Sequence, residues 1–193
     1  EPCYEAFMGI GRPATRLKIL TAIYSSPGMF VVRADSPYRT IRDLVGQPVA
    51  FGARGSGLPI LSRYMLDGIG LKQDEDFKSL YLDRAGDGPA MVQDGRAAAL
   101  WGAGIGWPGF AAVAQAPGGA RFIAPDAGEI ARIRAKHTFL KPLTVPANSY
   151  PNQSSAIESV GSWSFVLARE TLPDDVAYRL VRTLHGAEAA LCA

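Results

Sequence analysis

The chain has 193 residues, 48% hydrophobic and 20% charged, with a formal net charge of +2 at pH 7. This is a soluble globular composition, long enough for one large domain or two small lobes. So small a charge, on basic residues that form no run, excludes the electrostatic footprint of a nucleic-acid binder or a membrane-surface binder.

Short apolar runs alternate with helical stretches. Leu17–Ile23 and Met29–Val32 read as buried strands separated by a turn at Ser25-Ser26-Pro27-Gly28. Thr40–Val45 reads as a short helix stopped by Gly46, and Pro48–Phe51 as a strand entering Gly52. A helix is expected from Leu58 to about Ile69, because Leu58, Leu61, Met65 and Ile69 share one face. Strands follow at Ser79–Leu82, Ala97–Trp101 and Arg121–Ala124, with helices between them at Pro89–Gln93 and Pro108–Gln115. Asp126 and Glu129 form a capping-box signature for a helix to about His137. Residues 144–153 are rich in Pro, Asn and Ser and read as irregular; Val160–Ala168 reads as a strand. Asp174 and Asp175 open a last helix with Val176, Leu180 and Leu184 on one face. The alternation from 48 to 124 predicts an α/β fold with a parallel or mixed sheet between helices. Ligands of such sheets bind beyond the carboxyl ends of the strands, here the loops after Phe51, Leu82 and Trp101.

Gly52-Ala53-Arg54-Gly55-Ser56-Gly57 is the first of these loops. Its glycines permit positive φ and close approach of a ligand. The following helix offers N–H groups and a partial positive charge. Ser56 adds a hydroxyl, and Arg54 a guanidinium able to hold a carboxylate bidentately. The same pattern also suits a plain strand-to-helix turn. It is not a nucleotide P-loop, since the Lys-Ser/Thr pair is missing. In the loop Gly102–Pro108, Trp107 reads either as a stacking wall for a ligand or as a core anchor. His137 and His185 sit on expected helices without a nucleophile near them, and Asp74, Glu75 and Asp87 read as solvated loop charges. No catalytic constellation and no metal or cofactor motif stands out. Cys3 and Cys192 are compatible with a disulfide or with two free thiols. No run approaches the ~18 apolar residues of a membrane span, and the start at Glu1 without a methionine suggests a mature or trimmed product.

Four stretches in one order carry a family resemblance. They are 21–24 with 29–36; 40–51 leading into the 52–57 loop; 102–108; and Val145-Pro146-Ala147-Asn148-Ser149-Tyr150-Pro151-Asn152-Gln153 with the Leu172–Tyr178 helix start. Together they resemble the TAXI-type substrate-binding proteins of TRAP transporters, an NMT1-like group. The resemblance implies a type II periplasmic-binding-protein fold, in which two α/β lobes close over a solute. It also implies one incomplete lobe here: 1–34 would be part of lobe 1, 35–143 lobe 2, and 144–193 the crossover and return to lobe 1. It implies a non-enzymatic, periplasmic, monomeric receptor without cofactor or metal, which delivers a small carboxylate or amino acid to a TRAP membrane permease. A cytoplasmic effector-binding sensor on the same fold is the alternative. The ligand residues it implies are Tyr24, Arg54, Gly55, Ser56, Gly57, Gly104, Trp107 and Tyr150. Arg54, Leu58 and Gly106-Trp107 depart from the residues usual in that family at those positions.

Overall fold

The computed structural model describes residues 16–84 and 86–188; Cys3 and Cys192 lie outside them. The described chain divides into two compact units, 25–162 and a second made of 16–24 with 163–188. The expected 35–143 lobe lies inside the first.

Unit 1 is built on a mixed sheet. Strand β1 is Leu17–Arg33, of which residues 25–33 belong to this unit. A single 3-10 turn follows at Ile41–Leu44, with Thr40 and Asp43 closing a capping box across its start. Next come β2 (Pro48–Ala53), α1 (Gly57–Gly68), α2 (Gln73–Asp76) and β3 (Lys78–Leu82). Then follow α3 (Asp87–Gln93), β4 (Ala99–Ala103), α4 (Pro108–Gln115), β5 (Ala120–Ile123), α5 (Ala127–Lys136) and β6 (Lys141–Val145). Strand β7 is Ile157–Arg169. The sheet order is β3-β2-β4-β1-β7-β6, and β5 also pairs with β1. β2 runs parallel to both β3 and β4, whereas β1 is antiparallel to β4 and to β5.

Strand alternation sends side chains to two separate cores. Phe30, Val32, Val49, Phe51, Ala99 and Trp101 pack on one face, against Met65 and Leu66 of α1 and Ile133 of α5. Met29, Val31, Ala50 and Leu100 pack on the other, against Val92 of α3 and Phe110 and Val113 of α4. The helix after β2 therefore covers one face and the helix after β3 the opposite face. This reversal puts a topological switch point at the carboxyl ends of β2 and β4, which is where open α/β sheets hold ligands.

The turn expected at 25–28 is absent, because one 17-residue strand runs through it. Its turn-forming residues serve long-range contacts instead. A Cβ on Gly28 would lie 2.4 Å from the Trp101 ring, and the Pro27 carbonyl accepts the Gly104 N–H at 3.2 Å. Residues 17–24 are largely exposed rather than buried, again contrary to expectation. In unit 2, α6 (Asp174–Gly186) buries no residue, and His185 Nε2 meets the Thr21 hydroxyl at 3.0 Å. Among the described residues no helix is long and apolar enough to cross a membrane.

One polar clip joins α1 to the end of α5. The Asp67 carboxylate accepts from Lys136 Nζ at 2.8 Å and meets His137 Nε2 at 2.6 Å. The Lys136 hydrogen bond, then that of His137, hold the Asp67 carboxyl below its ordinary range against partial burial. A depressed folded-state pKa contributes stability above the unfolded-state value, and that contribution disappears as pH falls through the folded value. The carboxylate is 43% exposed, so the pair is worth about 0.5–1 kcal/mol after solvent screening. Asp67→Asn should lower the urea midpoint near neutral pH, and the difference from wild type should shrink below about pH 4.

Candidate functional site

The β2–α1 loop and the β4–α4 loop lie side by side, because β2 and β4 pair in parallel at Val49–Ala99 and Ala50–Leu100. Gly52 and Gly55 hold φ of +101° and +75°, which L side chains rarely adopt. Ser56 is the N-cap of α1, yet its side chain makes no capping bond. Its Oγ is shielded from solvent and has no hydrogen-bond partner among the described residues. Pro59 occupies the third helical position and has no N–H. The donors of the first turn are thus narrowed to Gly57 and Leu58, beside the Ser56 hydroxyl. A shielded hydroxyl without an acceptor, at a helix start that favours negative charge, is the arrangement an anion completes.

Trp101 fixes this helix start. It is fully buried, and its Nε1–H donates to the Leu58 carbonyl at 2.9 Å. The sequence marked Trp101 only as the end of a strand. Its part as the anchor of α1 depends on a contact across 43 positions.

Tyr150 governs the second loop from beneath. It is 4% exposed; its hydroxyl donates to Gly104 O at 3.2 Å and accepts the Gly106 N–H at 3.0 Å. Burial pushes this hydroxyl above its ordinary pKa, opposed by the backbone donors of Gly106 and Trp107. Gly104 and Gly106 hold φ of +110° and +73°. Trp107 stacks edge-on against Phe110 with centroids 5.0 Å apart, and an added Cβ on Gly102 or Gly109 would lie 2.4 Å from its ring. It is half-buried, with the core-anchor contacts in place. Tyr24 belongs to unit 2 and is 57% exposed on β1. The structure thus gathers Arg54, Gly55, Ser56 and Gly57 in one loop and Gly104, Trp107 and Tyr150 around its neighbour.

A pocket of about 380 Å³ opens beside the first loop. Arg54, Ser56, Arg63, Asp74 and Tyr81 supply its polar lining. The Arg54 guanidinium lies 4.6 Å from the centre of the Tyr81 ring. The Tyr81 hydroxyl donates to Asp74 Oδ1 and accepts from Gln73 Nε2 at 2.9 Å. Burial first, then the Asp74 contact, raises the Tyr81 pKa, so the phenol keeps its proton. Asp74 is therefore a positioned acceptor on α2 rather than a solvated loop charge, whereas Glu75 pairs with Lys72 at 2.8 Å on the surface. Arg63 and Tyr81 were not singled out by sequence, and Asp74 was read there only as a solvated charge. The available signal was the i, i+4 spacing of Pro59 and Arg63, which places Arg63 one turn behind the loop. Among the described residues no group of three or more His, Cys, Asp or Glu could hold a metal ion.

The profile of the NMT1-like family matches residues 4–191. Among solved structures, the periplasmic aliphatic sulphonate binding protein SsuA from Escherichia coli is similar with a TM-score of 0.55 and 23% identity, over 95% of this chain and 51% of that one. The GluR0 ligand-binding core from Nostoc punctiforme, in complex with (L)-glutamate, gives 0.52 and 15%, over 91% and 63%. An arginine 3rd transport system periplasmic binding protein from Legionella pneumophila gives 0.51 and 13%, over 90% and 60%. The chain spans less than two thirds of the length of each of these proteins. The fold is that of the type II periplasmic binding proteins.

Proposed function

The chain belongs to the NMT1-like family, and from that premise we propose that it is the solute-binding protein of a transporter, capturing a small organic acid or amino acid by lobe closure. The observation that carries this reading is the Ser56 hydroxyl, shielded and unpartnered at the start of α1. Gly55, Gly57 and Arg54 surround it, at the switch point of a doubly wound sheet. The solute's anionic group would accept from the Ser56 hydroxyl and the first N–H groups of α1, with Arg54 closing over it. Tyr150 sets the neighbouring loop, and Trp107 would border the cleft through its exposed edge. No covalent chemistry is needed for this task.

The finer assignment, a periplasmic TAXI-type receptor that hands its solute to a TRAP membrane permease, is supported by the four ordered stretches. SsuA and the Legionella protein carry periplasmic binding proteins in their names, which supports the compartment.

A thermal-shift screen of the full-length protein against organic acids and amino acids tests the reading. A ligand that binds only the native state at 100 times its Kd adds about 2.7 kcal/mol of apparent stability. At least one such anion should raise Tm, and Ser56→Ala with Arg54→Ala should abolish the rise. A rise that survives both substitutions would place binding elsewhere.

A further inference from the structure

The two neighbouring loops differ in what they leave for a solute. The 52–57 loop keeps a shielded hydroxyl unpaired at a helix start. The 102–108 loop, Gly-Ala-Gly-Ile-Gly-Trp-Pro, carries no charged, hydroxyl or amide side chain. Its backbone is already engaged as well. The Gly104 N–H donates to Pro27 O at 3.2 Å, the Gly106 N–H to the buried Tyr150 hydroxyl at 3.0 Å, and the Trp107 N–H turns to that same hydroxyl. Gly104 O accepts from the Tyr150 hydroxyl, and Pro108 has no N–H. Ile105 sits at the tip of this loop, between two glycines of positive φ, and is 45% exposed. Among the described residues of unit 1, Val45 and Ile105 are the only exposed large apolar side chains. Val45 precedes the amino end of β2, so it lies at the opposite end of the sheet from the loops. A single exposed apolar side chain is ordinary. What sets Ile105 apart is the backbone on both sides of it, locked from beneath by a buried tyrosine hydroxyl. It is therefore a fixed apolar surface beside the anion loop, since β2 and β4 are paired strands about 4.8 Å apart.

We infer that the 102–108 loop is an apolar wall with Ile105 as its specificity-determining residue, so that the solute is an anionic head on an apolar body rather than a small polar or doubly charged acid. The inference rests on the proposed role of the 52–57 loop and names the class of molecule that loop would hold. With the head at the start of α1, the body of the solute meets the second loop. An apolar body there covers Ile105 and gives up no hydrogen bond. A charged or hydroxylated body loses its hydration at the same place and finds the loop donors of Gly104, Gly106 and Trp107 already turned inward.

NMR titration of the full-length protein with acetate, hexanoate and adipate, at neutral pH and constant ionic strength, tests the wall. The signals followed are the amides of residues 55–58 and the methyl groups of Ile105. Hexanoate should bind about tenfold or more tightly than acetate, the equivalent of about 1.4 kcal/mol, and should shift the Ile105 methyls. Adipate has the same chain length with a charge at its far end, and its gain over acetate should stay below about threefold. Ile105→Asn should bring the hexanoate-to-acetate ratio within about threefold, whereas Ile105→Leu should keep it. Val45→Asn, at the opposite end of β2, should leave the ratio unchanged. Equal binding of acetate and hexanoate, adipate matching hexanoate, or an unchanged ratio in Ile105→Asn overturns the apolar wall and leaves the loop reading standing. If none of the three anions binds, both readings fall.

Discussion

Trp101→Ala should destabilise unit 1 by about 3–5 kcal/mol, the range for emptying a fully buried large aromatic site. Three contacts make this position expensive. The ring fills the space left by the missing Cβ of Gly28 and lies 4.9 Å from the Phe30 ring, and its Nε1–H holds the Leu58 carbonyl. Trp101→Phe keeps most of the volume and loses the indole donor, so about 1–2 kcal/mol is expected. Urea midpoints of the two variants check both figures. The second variant also reports on the site, because Leu58 belongs to the first turn of α1. Trp101→Phe should weaken anion binding without unfolding the protein. Unchanged affinity would show that the helix start needs no anchor.

Gly161→Ala should cost about 3 kcal/mol, the upper part of the overpacking range. An added Cβ would lie 2.0 Å from the Ser26 carbonyl oxygen and 2.8 Å from its carbon. These are backbone atoms, so no rotamer change relieves the clash, and β1 and β7 must separate locally. The neighbouring Ser159 hydroxyl bonds the Gly28 carbonyl, and that bond would be disturbed with them. Gly186→Ala is the matched control: nothing lies within 4 Å of its added Cβ, and its stability should change by no more than about 0.5 kcal/mol. Denaturant midpoints decide the comparison. Equal effects at the two glycines would contradict the close approach of β1 and β7.

Where structure is set by nearby residues, it was legible in the sequence. The capping box of Asp126 and Glu129 opens α5, and Pro108 starts a helix that ends at Gln115. The helix expected from Leu58 is one residue from α1, since its apolar spacing faces the core directly. Where distant residues decide, the sequence misled. Ser25-Ser26-Pro27-Gly28 has every local mark of a turn, yet tertiary contacts keep it extended: Trp101 occupies the space at Gly28, and Gly104 donates to Pro27. The exposed 17–24 segment was read as buried because apolar content alone cannot say whether a partner covers it.

The candidate site divides along the same line. The 52–57 loop was visible because strand, glycines and helix start are contiguous. Arg63, Asp74 and Tyr81 come from α1, α2 and β3, and only the fold brings them to one pocket. Asp74 in particular looks like any surface acid until the Tyr81 hydroxyl is placed beside it. Tyr150 was picked out, but the use of its hydroxyl was not. Its bonds to Gly104 and Gly106 span more than 40 positions.

The central claim is that an anionic solute completes the hydrogen bonding of the 52–57 loop. Its most direct test is amide chemical-shift mapping of the full-length protein during titration with an anion that raises Tm. The Gly55, Ser56, Gly57 and Leu58 amides should shift most and saturate together, at a Kd matching the thermal data, and Ser56→Ala should weaken that response. Saturable shifts confined to residues outside this loop and the pocket beside it would contradict the account.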